Sequence, residues 1–204
     1  MHIRCFILFF VVFNYTFADQ DNYFINSLKV SGNQAISEDE IVFLIRQKPP
    51  NILFRRPVFD PRLLKLDALT IKNYYFTKGF LDVSIKDSYA LNNGYVDLSF
   101  NITEGKQYFI SDIFIAGNKL ISDKSILSLL DVQSGEIYNP VKINENITRV
   151  ENEYFELGKL FFVLTIQSNV TDSVSLNINI REGEEVKIQK THFEGIEGID
   201  KSLV

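Results

Sequence analysis

Beyond its first 18 residues the chain holds one histidine, His192, and no cysteine. A Ser-His-Asp or Cys-His relay would have to be assembled around that one imidazole. His192 lies in Lys190-Thr191-His192-Phe193, a strand-like stretch, and reads as a surface residue of that strand. Glu182, Glu184 and Glu185 cluster in a glycine-containing turn, where they read as solvated charge. No metal-ligand spacing occurs, and no glycine-rich loop is placed to cradle phosphate. Tyr75 and Tyr154 have the chemistry of aromatic binding platforms. Each also completes an apolar helical stripe, which assigns both to a core. Catalysis and cofactor binding thus find no support among these side chains, and recognition through backbone and apolar surface remains.

Charge narrows the partners. The formal net charge is −5 and the isoelectric point about 5.1, which is unlike the clustered basic footprint that nucleic acid requires. Arg55-Arg56 is the only adjacent basic pair. The first 18 residues read as a secretory signal peptide: His2 and Arg4 open it, Cys5 to Phe13 are apolar, and Thr16-Phe17-Ala18 sets small residues for cleavage before Asp19. That apolar run falls short of the roughly 20 residues of a membrane-spanning helix. An exported, cysteine-free chain must be stabilised by core packing and fits a Gram-negative periplasm at least as well as a eukaryotic secretory route.

The elements that must position any site appear twice. Ile25 to Val30 reads as a strand that ends in the turn Gly32-Asn33. Ser37 and Glu40 have capping-box spacing ahead of Ile41, Leu44 and Ile45, which predicts a helix to about Lys48 before Pro49-Pro50. Asp60-Pro61 opens a second helix. Leu64, Ala68, Ile71 and Tyr75 share one of its faces, and Gly79 ends it. Alternation at Leu81, Val83 and Ile85, a turn at Asn92-Asn93-Gly94, and alternation at Val96 to Ile102 make a hairpin closed by Glu104-Gly105.

The pattern then restarts. Ile110 to Asn118 repeats Ile25 to Asn33, Ser122 caps a helix, and Asn139-Pro140 answers Asp60-Pro61. Ile143, Ile147, Val150 and Tyr154 reproduce the helical face, Gly158 matches Gly79, and Glu182-Gly183 matches Glu104-Gly105. A third copy opens at Ile188 to Gly195. Repetition at about 80 residues with two helices per copy means tandem domains, not a solenoid.

In this order, the Gly-Asn turn, the Tyr-Phe-x-x-Gly helix ending and the Glu-Gly closing turn resemble POTRA domains, the polypeptide-transport-associated modules of BamA- and TamA-type outer-membrane assembly proteins. The resemblance implies an α+β fold of tandem β-α-α-β-β domains, each a three-stranded mixed sheet covered by two helices. It sets a first domain at 19–109, a second at 110–187, and the first strand of a third at 188–204. It implies a non-enzymatic periplasmic role at the outer membrane, guiding unfolded outer-membrane proteins and docking periplasmic chaperones or assembly lipoproteins. The membrane would be reached through a C-terminal β-barrel that these residues do not contain. A two-partner-secretion transporter is the alternative within the family, and an exported scaffold or adhesion module the alternative outside it.

In the resembling fold the third strand is central and the second lies at an edge, where an extended client can add a strand. The second-unit edge would run from Lys159 to Asn169, with Lys159, Phe161, Val163 and Thr165 outward and Leu160, Phe162, Leu164 and Ile166 inward. Phe161 and Val163 either contact a client or partner or pack under a neighbouring domain or loop. The first-unit edge would run from Phe80 to Tyr89. Phe80, Asp82, Ser84 and Lys86 point outward there and form a charged, weaker candidate.

Overall fold

The computed structural model describes residues 23–51, 57–187 and 190. The expectations for the leader at 1–18, for Arg55-Arg56, for His192 and for the bulk of the third opening strand lie outside these residues.

Two units of the same plan follow one another. The first consists of β1 (Phe24–Ser31), α1 (Glu38–Leu44), α2 (Pro61–Thr77), β2 (Ser84–Asn92) and β3 (Tyr95–Thr103). The second consists of β4 (Ile110–Ala116), α3 (Asp123–Leu130), α4 (Pro140–Glu156), β5 (Val163–Val170) and β6 (Val174–Arg181). Each forms its own three-stranded mixed sheet, ordered β1-β3-β2 and β4-β6-β5. The first strand of each unit runs parallel to the central one and the second runs antiparallel to it. The α+β plan expected from the repeats is present in both copies.

Local chemistry sets the ends of these elements. Ser37 and Glu40 form a reciprocal capping box on α1. Asp60 and Asn139 cap α2 and α4 through Oδ1, accepting from the amides of Arg62 and Lys142 at 2.8 and 2.9 Å, and a proline stands at the first turn of both helices. Gly79 and Gly158 follow these helices at φ +81° and +74°, the left-handed conformation that a glycine adopts without a Cβ penalty. Asn93 and Gly94 both have positive φ, which matches a two-residue turn to the right-handed twist of the β2–β3 hairpin.

Each unit closes its own core. Ile41, Leu64, Ile71, Tyr75, Val96, Leu98 and Phe100 are fully buried in the first. Ile126, Leu130, Val150, Tyr154, Val174, Leu176 and Ile178 are buried in the second.

One helix is shorter than its apolar stripe predicts. α1 ends at Leu44, and Ile45 is already extended, although its side chain is buried. The cause lies on α2. The buried carboxylate of Asp67 accepts from the amides of Arg46 and Gln47, both at 2.9 Å, and draws the chain out of the helix toward α2. Those amides find a charge-assisted partner instead of a helical carbonyl.

Candidate functional site

β2 and β5 stand at the edges of their sheets. Among the described residues, no backbone hydrogen bond joins either strand to anything beyond its own sheet and hairpin. The opposite edges are partly covered. The amide of Ile25 donates to the Pro57 carbonyl, and Ile110 exchanges backbone bonds with Gly135 and Glu136. The β5 sequence, Val-Leu-Thr-Ile-Gln-Ser-Asn-Val, carries no charge, whereas β2 includes Lys86 and Asp87. Charge on an edge discourages strand addition, so β5 is the more receptive of the two.

The expected edge residues divide into two groups. Val163 and Thr165 lie in β5, opposite Arg181 and Asn179 of the central strand, and both are exposed. Ser84 is the first residue of β2, opposite Thr103, and Lys86 follows it outward. Lys159, Phe161, Phe80 and Asp82 are not in strands. They belong to a turn that wraps the helix end before each strand begins: Phe80 donates its amide to the Tyr75 carbonyl, Lys159 to Tyr154, and Phe162 to Lys159.

Extended alternation does not begin at the glycine, and several side chains therefore lie on other faces than the spacing predicts. Phe80, expected outward, is buried against the edge of Tyr75 with ring centroids 5.7 Å apart. Leu160, expected inward, is exposed, and Lys159 turns its Nζ to the Gly183 carbonyl at 3.2 Å. Asp82 accepts a 2.7 Å bond from the Tyr108 hydroxyl.

A polar constellation unforeseen in the sequence supports both sheets. The Glu104 carboxylate accepts from the amides of Gln34 and Ala35 at 2.7 and 2.9 Å and from the Tyr75 hydroxyl at 2.8 Å. In the second unit Glu182 accepts from the Lys119 and Leu120 amides at 2.6 and 2.8 Å and from the Tyr154 hydroxyl at 3.2 Å. The Glu-Gly closing turn, the stripe tyrosine and the segment after the Gly-Asn turn thus meet at one carboxylate per unit. Glu182 is a structural ligand of the backbone, not free solvated charge. Desolvation raises its carboxyl pKa, but the Leu120 and Lys119 amides, helped by Tyr154 and Lys159, outweigh that and hold it below its ordinary value. Burial, then the bond to the carboxylate, pushes the phenols of Tyr75 and Tyr154 up. The recurrence of Glu before Gly, 29 and 28 residues after the stripe tyrosine, is the signal in the sequence.

The two units meet through the linker after Gly105. The Tyr108 amide donates to the Gly79 carbonyl, the Tyr138 amide donates to the Tyr108 carbonyl, and both bonds measure 2.9 Å. Gln107 Nε2 donates to the Lys78 carbonyl at 2.9 Å. Leu81 of the first unit packs against the buried cluster of the second. Among the described residues, no group of three or more His, Cys, Asp or Glu could hold a metal ion, and no helix is long and apolar enough to cross a membrane.

This repeated sheet, with its helix pair and closing turn, is what known proteins match. The model of the POTRA family, described as a surface antigen variable number repeat, covers residues 23–105 and again 108–183. The chain belongs to the POTRA family. Over 182 residues it is 28% identical to the outer membrane protein assembly factor BamA of Buchnera aphidicola subsp. Acyrthosiphon pisum, a match that covers 85% of this chain and 30% of that protein. The crystal structure of Haemophilus influenzae BamA POTRA3-5 superposes with a TM-score of 0.57 at 18% identity, covering 89% of this chain and 74% of that one. The N-terminal domain of Omp85 from the cyanobacterium Thermosynechococcus elongatus gives 0.52 at 16% identity, covering 85% and 74%. Both structures share the fold. The chain spans less than a third of the length of the curated relatives it matches.

Proposed function

We propose that these residues are the periplasmic POTRA region of an outer-membrane β-barrel assembly protein, exported by the leader at 1–18. The domains run 19–109 and 110–187, and a third opens at 188–204. The region receives unfolded outer-membrane proteins by strand addition and docks periplasmic chaperones or assembly lipoproteins. A β-barrel elsewhere in the protein provides the membrane contact. The observation that carries this reading is the long, uncharged outer edge of β5, which has no partner beyond its own sheet among the described residues. The family match and the similarity to BamA support the assembly setting.

Energetics favour a hand-over site. About four or five added hydrogen bonds at about 1 kcal/mol net each are largely offset by about 1–2 kcal/mol per ordered client residue. The surplus from backbone pairing alone is near zero, so strand addition by itself binds more weakly than about mM, and side-chain contacts set any tighter affinity. Such binding tolerates many sequences and releases quickly, as a transit site requires.

Site-specific photocrosslinking tests the proposal. A photoreactive residue in place of Thr165 should capture unfolded outer-membrane protein in the cell envelope, and one in place of Lys86 should capture less. Equal, negligible capture at both positions would refute strand addition at these edges.

A further inference from the structure

The junction between the two units is a template, and the second unit carries its own copy, which no described residue covers. At the first junction the Tyr108 amide donates to the Gly79 carbonyl at 2.9 Å; at the equivalent point the Val186 amide donates to the Gly158 carbonyl, also at 2.9 Å. Tyr108 is 7% exposed and Leu81 is packed against the following core, whereas their counterparts Val186 and Leu160 are 38% and 55% exposed. Twelve positions separate the closing Gly105 from Gly117, and the same number separates Gly183 from Gly195. The linker that brings the second unit onto the first is therefore repeated at full length after the second.

The chemistry at this surface changes as a set. Asp82 accepts from Tyr108 in the first junction. Their counterparts, Phe161 and Val186, are both apolar, as is Leu157 where the first unit has Lys78. Phe161 is 68% exposed. Replacing a hydrogen-bonded polar pair by two apolar residues adds apolar surface at the equivalent position, and apolar surface gains by being covered. A solvent-facing turn would gain nothing from it.

We propose that Leu157, Leu160, Phe161 and Val186 form the docking face for a third repeat of this chain, the one that opens at Ile188. The second unit grips that repeat through apolar contact where the first grips the second partly through the Asp82–Tyr108 hydrogen bond. Phe161 thus leaves the client-binding edge and joins the junction, and the receptive part of β5 begins at Val163.

Cysteine accessibility in the full-length protein, with any cysteine outside residues 6–204 replaced by serine, tests this, because residues 6–204 contain none. Leu160→Cys should react with a soluble maleimide about tenfold or more slowly than Asn152→Cys on the exposed face of α4, and at a rate similar to Leu81→Cys. Labelling of Leu160→Cys at the rate of Asn152→Cys overturns the proposal, and so does fast labelling of Leu81→Cys, since the template junction would then be open. A photoreactive residue replacing Phe161 identifies the occupant. The adduct should map to residues of the same chain beyond Lys187; an adduct to an unfolded client or to a second copy overturns the assignment.

Discussion

One carboxylate in each unit ties its own closing turn to two other stretches of chain. Glu182 holds two exposed backbone amides and a buried phenol, so its removal loses three charge-assisted bonds and leaves only the phenol short of a partner. Glu182→Ala should destabilise the second unit by about 1–3 kcal/mol, and Tyr154→Phe by less, because only one of the three bonds is lost. Chemical denaturation of the two variants checks the ranking, and equal costs would argue against the amide contacts. The same carboxylate sets a pH dependence. Its folded pKa lies below the ordinary 4.5, so the stability it contributes is fully present above that value and is lost as the pH falls through the depressed folded pKa. Thermal melts between pH 7 and pH 3 should therefore fall less steeply in Glu182→Gln than in the wild type, and parallel curves would remove Glu182 as a source of acid sensitivity. Gly117 makes a related point about space. Its φ is +89°, and a Cβ there would collide with the Ile180 carbonyl. The Gly-Asn turn is thus fixed by the close passage of the central strand as well as by backbone conformation.

At the scale of elements, apolar periodicity and the repeat place most of the described helices and strands, and the departures have identifiable causes. The stripe Ile41, Leu44, Ile45 reads as helix throughout, yet Asp67 lies 20 residues or more along the chain from the amides it captures, a distance no local pattern records. The inward residues of β1 are Ile25, Leu28 and Val30, and those of β4 are Ile110, Ile113 and Ile115. The three-residue step in each marks a bulge against the central strand. That step is visible in the sequence once two copies are aligned. The edge strands start late because the residues after each glycine form a turn hydrogen-bonded to the helix end, and the apolar residues of that turn, Phe80-Leu81 and Leu160-Phe161-Phe162, have the composition of a strand. Half of the expected second-unit site, Val163 and Thr165, lies on β5 as anticipated, and the other half does not. Placing charge on that strand is the direct test of its receptivity. The double variant Thr165→Lys/Gln167→Lys should reduce client crosslinking while leaving stability within about 0.5 kcal/mol of the wild type, since both residues are exposed. Undiminished capture would place the client elsewhere.

Across the whole molecule, two closed cores joined by a short linker raise the question of what fixes their relative orientation. The linker residue Tyr108 engages both sides. Its side chain is buried with the second core, its hydroxyl reaches Asp82, and its amide and carbonyl bond to Gly79 and Tyr138. Lys106 adds an exposed 3.1 Å ion pair to Asp172, which contributes little by itself. A junction built on one buried aromatic residue and a few backbone bonds resembles a small inter-domain interface, for which relative motion is the default unless packing prevents it. Tyr108→Ala should therefore leave the first unit folded and cost the second about 3 kcal/mol or somewhat more, while releasing the orientation between them. Nuclear spin relaxation measured unit by unit reads this directly: the wild type should tumble as one body and the variant as two, with shorter correlation times for each unit. Asp82→Asn separates orientation from stability, because it weakens the hydroxyl contact without emptying the core. If it loosens the junction while the melting of the second unit is unchanged, the hydrogen bond acts as an orienting contact. If both variants tumble as the wild type does, α2 and α4, which touch across the junction, hold the angle instead.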